Sequence, residues 1–83
     1  MGVNECLNLT ELNCQDNQLT NLDISNCQQL KKLDCNGNKL INLGLTGLEK
    51  LEYINCLDNQ LTQLNLSQQD KLEKLYIKNK AII

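Results

Sequence analysis

Apolar residues recur along this chain at a fixed step. Leu9, Leu30, Leu51 and Leu72 stand 21 residues apart, as do Leu12, Leu33, Ile54 and Leu75, and again Leu19, Leu40, Leu61 and Ile82. Further columns hold Leu22, Leu43 and Leu64, then Val3, Ile24, Leu45 and Leu66, then Cys6, Cys27, Leu48 and Gln69. The first half of each repeat reads LxxLxCxxNxL and the second LxxLxLS. A constant period of this length is the mark of a solenoid, in which each coil buries its apolar side only against its neighbours. The columns divide the chain into a partial coil at 1–8, full repeats at 9–29, 30–50 and 51–71, and a partial repeat at 72–83, together one domain over 1–83. Ends that fall inside a repeat fit a segment taken from a longer array, the favoured expectation, or a short array with worn ends.

Alternation at Leu12 and Cys14, and at their equivalents, has the period of a strand. Leu12, Leu33, Ile54 and Leu75 are therefore expected to point inward, together with Cys14, Cys35, Cys56 and Ile77. Stacked coils then form a parallel sheet with about 4.8 Å between strands. Asp16, Gly37, Asp58 and Asn79 follow each strand, and these residue types tolerate the left-handed geometry of a bend. Asn17, Asn38 and Asn59 come next. A buried turn needs partners for its backbone groups, and an Asn amide both donates and accepts. Each is expected to serve its own turn and the backbone of the next coil, an asparagine ladder that Lys80 interrupts. The second half predicts an extended run on the opposite side, with short turns or one helical turn over 25–30, 46–51 and 67–72. Too few residues remain for long helices.

These repeats resemble the leucine-rich repeat family. The 21-residue step, the nested LxxL halves and the Cys in place of the third Leu are similar to a short-repeat subclass with a cysteine ladder, found in internalin-type bacterial surface proteins and in similar arrays. The resemblance covers essentially the whole chain. Ile77 in the Cys column, Lys80 in the Asn column, Gly44 where Asp23 and Asn65 stand, and Gln69 in an apolar column depart from it. It implies a β-rich solenoid, a horseshoe segment with a parallel sheet on its concave face and an extended or short-turn convex side, with few or no long helices. If the role follows the subclass, the parent is a surface adhesin whose target is a host protein or glycan.

Composition narrows the function classes. Two Tyr are the chain's whole aromatic complement, Pro is absent, and only four Gly occur. That mixture suits uniform stacked layers better than an irregular core. A net charge of −2 with no Arg argues against nucleic-acid binding, which leans on a basic surface and on Arg at base edges. No apolar run approaches the roughly 20 residues of a membrane span. Without His the usual general base is missing, and an inward-facing Cys has neither access nor an activating partner. The chain is therefore read as non-enzymatic, with no cofactor. The five cysteines read as small buried fillers. A one-dimensional row does not supply the tetrahedron zinc requires, and in-register strand neighbours present poor disulfide geometry. Buried free thiols favour a reducing cytoplasm, whereas the resemblance favours a cell-surface or secreted location as part of a larger protein. Asn8-Leu9-Thr10 and Asn65-Leu66-Ser67 both match the N-glycosylation pattern.

Binding is expected on the outward positions of the first-half strands, the concave face that solenoids offer to partners. Both tyrosines fall there, in adjacent coils, beside Leu57. The expected contact residues are Tyr53, Leu57, Tyr76, Lys74 and Lys78, flanked by Lys32 and Asp34, with a protein as ligand. Charge alternates along the array: −4 over 1–29, +2 over 30–50, −2 over 51–71 and +2 over 72–83. With apolar layers at both ends, this predicts a second property, homo-oligomerisation through the repeat ends.

Overall fold

The structure is a computed structural model and describes residues 7–77. Four three-residue strands, β1 (Glu11–Asn13), β2 (Lys32–Asp34), β3 (Tyr53–Asn55) and β4 (Lys74–Tyr76), form one parallel sheet in the order β1-β2-β3-β4. The register is the repeat itself. Glu11, Lys32, Tyr53 and Lys74 form one row, Leu12, Leu33, Ile54 and Leu75 the inward row, and Asn13, Asp34, Asn55 and Tyr76 a second outward row. The ladder runs on past the strands, with the amides of Cys14, Cys35 and Cys56 each donating at 2.9 Å to Asp34, Asn55 and Tyr76 carbonyls in the following coil.

Each strand then bends where the sequence places a residue suited to positive φ. Asp16, Gly37 and Asp58 have φ of 57°, 72° and 54°. The asparagines close the bend. Asn38 Nδ2 donates to its own coil at Cys35 O (2.9 Å) and to the preceding coil at Cys14 O (3.0 Å), while its Oδ1 accepts the Leu19 amide at 3.1 Å. Asn59 repeats this one coil on, with Cys56 O, Cys35 O and the Leu40 amide as partners. The bridges thus run to the preceding coil and not, as expected, to the next. The Asn lies five residues after the inward residue of the strand, past the bend, where its amide reaches the coil before it.

The second half of each repeat contains no strand of the sheet. It ends in paired tight turns: Cys27 N to Ile24 O and Leu30 N to Cys27 O, Leu48 N to Leu45 O and Leu51 N to Leu48 O, Gln69 N to Leu66 O and Leu72 N to Gln69 O. Among the described residues there is no helix.

Side chains from both halves meet in one stacked core. Leu30, Leu33, Cys35, Leu40, Leu48, Leu51 and Ile54 are fully buried, each such leucine contributing about 1.5–3 kcal/mol by leaving water. Leu12 and Leu75, on the first and last strands, are only partly buried. Gln69 is buried too, and its Nε2 donates to Leu45 O at 2.8 Å and Leu48 O at 3.3 Å.

One expectation about the cysteines is corrected. Cys14, Cys35 and Cys56 are buried free thiols, but Cys27 is disulfide-bonded and is not an inert filler. The geometric objection to a disulfide applies to in-register neighbours on strands. Cys27 lies in the turn between Ile24 and Leu30, outside the sheet, where that constraint does not act. Cys6, the other cysteine of that column, lies outside the described residues.

Candidate functional site

Because inward and outward positions alternate along each strand, burying Leu33 and Ile54 forces Lys32, Asp34, Tyr53 and Asn55 onto the opposite, solvent face of the sheet. Stacking then brings residues 21 apart in sequence side by side. Lys32 Nζ lies 5.0 Å from the centroid of the Tyr53 ring, a cation–π contact. The same ammonium is 3.9 Å from Glu11 Oε1, with both side chains about half exposed, so the pair is a weak one. The rings of Tyr53 and Tyr76 stand 5.7 Å apart at 56°, within the tilted range that aromatic pairs prefer. They are diagonal neighbours, since Tyr53 is opposite Lys74 and Tyr76 is opposite Asn55. A continuous chain of contacts, Glu11–Lys32–Tyr53–Tyr76, therefore crosses all four strands.

The residues singled out from sequence divide accordingly. Lys32, Tyr53 and Tyr76 touch one another in sequence along that chain. Lys74 is the register neighbour of Tyr53. Leu57 is exposed just beyond β3, and Tyr76 is 43% exposed, so both offer apolar area to solvent. Asp34 has a structural duty as well: its Oδ1 accepts the Asn36 amide at 3.2 Å and closes the turn after β2. Asn55 does the same for the Leu57 amide at 3.2 Å. Lys78 lies outside the described residues.

Asn36 is not among the contact residues expected from sequence. It belongs to the outward row of Gln15 and Leu57, yet its Oδ1 is buried without a hydrogen-bond partner. In a chain so rich in Asn, nothing in the sequence distinguishes it. Only the packing of the neighbouring coils buries that oxygen.

Burial disfavours nucleophilic chemistry at the described free thiols, Cys14, Cys35 and Cys56. Burial pushes the Cys35 thiol from an ordinary 9.0 up to about 12, helped by the neighbouring Cys56 and Cys14 and by the Asp34 carboxylate. Burial raises Cys56 to about 11. Cys14 is raised by burial and then by Asp34. A neutral, enclosed thiol has neither the charge nor the access for reaction. Among the described residues, no group of three or more His, Cys, Asp or Glu is placed to hold a metal ion, and no helix is long and apolar enough to cross a membrane.

A family model described as leucine rich repeats (2 copies) matches residues 7–50, which is more than half of the 83-residue chain. The comparisons with curated proteins and with solved structures return no match.

Proposed function

The chain belongs to the leucine-rich repeat family, whose domains generally mediate protein–protein interaction, and from that premise we propose that it binds a protein partner on the solvent face of its sheet. The observation that carries the reading is the Lys32–Tyr53–Tyr76 contact chain. Tyrosines give interfaces apolar area and a hydroxyl from one side chain. Here the two rings support each other, and the Lys32 ammonium supports the first. A partner would then meet side chains already ordered, sparing part of the roughly 0.5–1.5 kcal/mol that each mobile side chain costs to immobilise. Leu57 and Lys74 border the rings, Asp34 lies one coil back, and Lys78 is proposed to extend the patch. Adhesion to a host protein or glycan is the narrower form of this reading.

The test is a selection from a displayed random-peptide library on the intact chain. The selected peptides are then measured against Tyr53→Ala/Tyr76→Ala and against Asn42→Ala/Gln63→Ala, which changes the second halves of two repeats. Loss of binding, tenfold or more, in the tyrosine variant alone supports the sheet face. Retained binding there, with loss in the other variant, overturns it.

A second reading, self-association through the ends, draws support from the open sheet. Among the described residues β1 and β4 are each paired on one side only, and Leu7 is 64% exposed. Light scattering over a concentration series tests it. A mass that stays monomeric at every concentration and salt would sink it.

A further inference from the structure

We infer that Asn65 is an acceptor for N-linked glycosylation and that the glycan sits on the side of the solenoid away from the sheet. The sequence supplies the acceptor triplet Asn65-Leu66-Ser67. The structure adds four independent conditions.

The first is exposure. Asn65 and Ser67 are both exposed, while Leu64 beside them is buried and anchors the segment. The second is the local turn. Asn65 Oδ1 accepts the Ser67 amide at 2.9 Å. This engages the side-chain oxygen and not Nδ2, the atom on which a glycan is built, and it holds the hydroxyl-bearing residue against the acceptor. The third is space. The residue one coil before Asn65 in its column is Gly44, and a Cβ built there meets nothing within 4 Å. In the coil before that the same column holds Asp23, whose carboxylate closes its own turn on Ser25. Gly44 thus leaves a gap beside Asn65, and open surface depressions lined by Asn42, Gln63 and Gly44 flank it on that side. A first sugar ring can be seated there without displacing packed side chains. The fourth is compartment. Cys27 is disulfide-bonded, and disulfides form and persist in the oxidising lumen where N-glycosylation takes place.

The transfer needs a lipid-pyrophosphate-linked oligosaccharide as donor. Asn65 Nδ2 forms a bond to C1 of the donor sugar. The C1–oxygen bond to the pyrophosphate breaks, its electron pair leaves with the lipid pyrophosphate, and one amide proton is released to the transferase or to solvent. Acceptors are modified as the chain enters the lumen, so the chain must fold with the glycan already attached, and the open surface beside Asn65 lets it do so. Asn65 belongs to the second half of its repeat, and the sheet belongs to the first. The glycan would therefore leave Tyr53 and Tyr76 uncovered.

The experiment is cell-free translation of the full chain, behind a cleavable leader, with endoplasmic-reticulum microsomes. The readout is a mobility step removed by peptide N-glycosidase. Ser67→Ala is the decisive variant, because it deletes the hydroxyl and keeps both Asn65 and its bond from the Ser67 amide. The expected result is a step present in the parent chain, in Ser67→Thr and in Asn8→Gln, and absent in Ser67→Ala and Asn65→Gln. A parent chain without a step, or a step that survives Ser67→Ala and disappears with Asn8→Gln, would overturn the assignment.

Discussion

Replacing Asn38 by Ala should destabilise this fold far more than the same change at Asn17, although the two occupy one column of the repeat. The carbonyl of Cys14 accepts two amide donors, Asn17 Nδ2 from its own coil and Asn38 Nδ2 from the next, each at 3.0 Å. Cys35 O is likewise shared between Asn38 and Asn59. Removing Asn38 therefore leaves each carbonyl one donor. It leaves the Leu19 amide, whose acceptor was Asn38 Oδ1, with none from this ladder. One orphaned, part-buried donor costs roughly 1–3 kcal/mol, and the two lost carbonyl bonds about 0.5–1.5 kcal/mol each. The sum is centred near 3–4 kcal/mol, a large share of the roughly 4–12 kcal/mol a chain of this length can have. Asn17 is exposed and, among the described residues, donates to Cys14 O and Gln15 O in its own coil. Its loss should cost about 1 kcal/mol. Urea unfolding followed by circular dichroism reads both. Since small domains lose about 1 kcal/mol per molar urea, the Asn38→Ala midpoint should fall by about 3–4 M, against about 1 M for Asn17→Ala. The double variant strips Cys14 O of both donors and should cost about 1 kcal/mol beyond the sum of the singles. Equal midpoints for the two single variants, or strict additivity in the double, would refute the shared-carbonyl account.

Four further outcomes are expected. Gly37→Ala should destabilise by more than the roughly 1–2 kcal/mol the positive φ costs by itself, because its Cβ would also meet the Asp16 carboxylate; Gly44→Ala, with open space around it, should change the thermal midpoint little, and equal effects would contradict the packing. Cys35 and Cys56 titrate near 12 and 11 when folded, above the ordinary 9.0, so their contribution to stability is complete below about pH 9 and is lost as pH rises through those values. Urea midpoints measured between pH 8 and 11 should fall, and Cys35→Ala should flatten the slope. Iodoacetamide at pH 8 should leave Cys35 and Cys56 unlabelled until denaturant is added, as read by peptide mapping. Alkylation of the denatured, unreduced chain followed by peptide mapping should label Cys14, Cys35 and Cys56 and label Cys27 only after reduction; labelling of Cys27 before reduction would contradict its disulfide.

The period of 21 residues determined the architecture, because a column of Leu, Ile and Cys that repeats at constant spacing can be buried only by stacking one coil on the next. Strand positions, the bends at Asp16, Gly37 and Asp58, and the tyrosines' place on the outward face were all legible for the same reason: each depends on residue type and on the two-residue alternation of a strand. Other features depended on which atoms meet across coils, and the pattern does not carry that information. The asparagines bond backward, since direction is settled by where the turned chain passes beneath its neighbour. Cys27 is set apart from the ladder cysteines by lying in a turn, where side chains are free of the sheet's register. Asn36 and Gln69 each bury a side-chain oxygen without a partner, although their residue types suggest an exposed surface. The Lys32–Tyr53–Tyr76 contacts needed tertiary structure too. Register places Tyr76 opposite Asn55, and only the diagonal reach of two aromatic rings across neighbouring strands brings it to Tyr53.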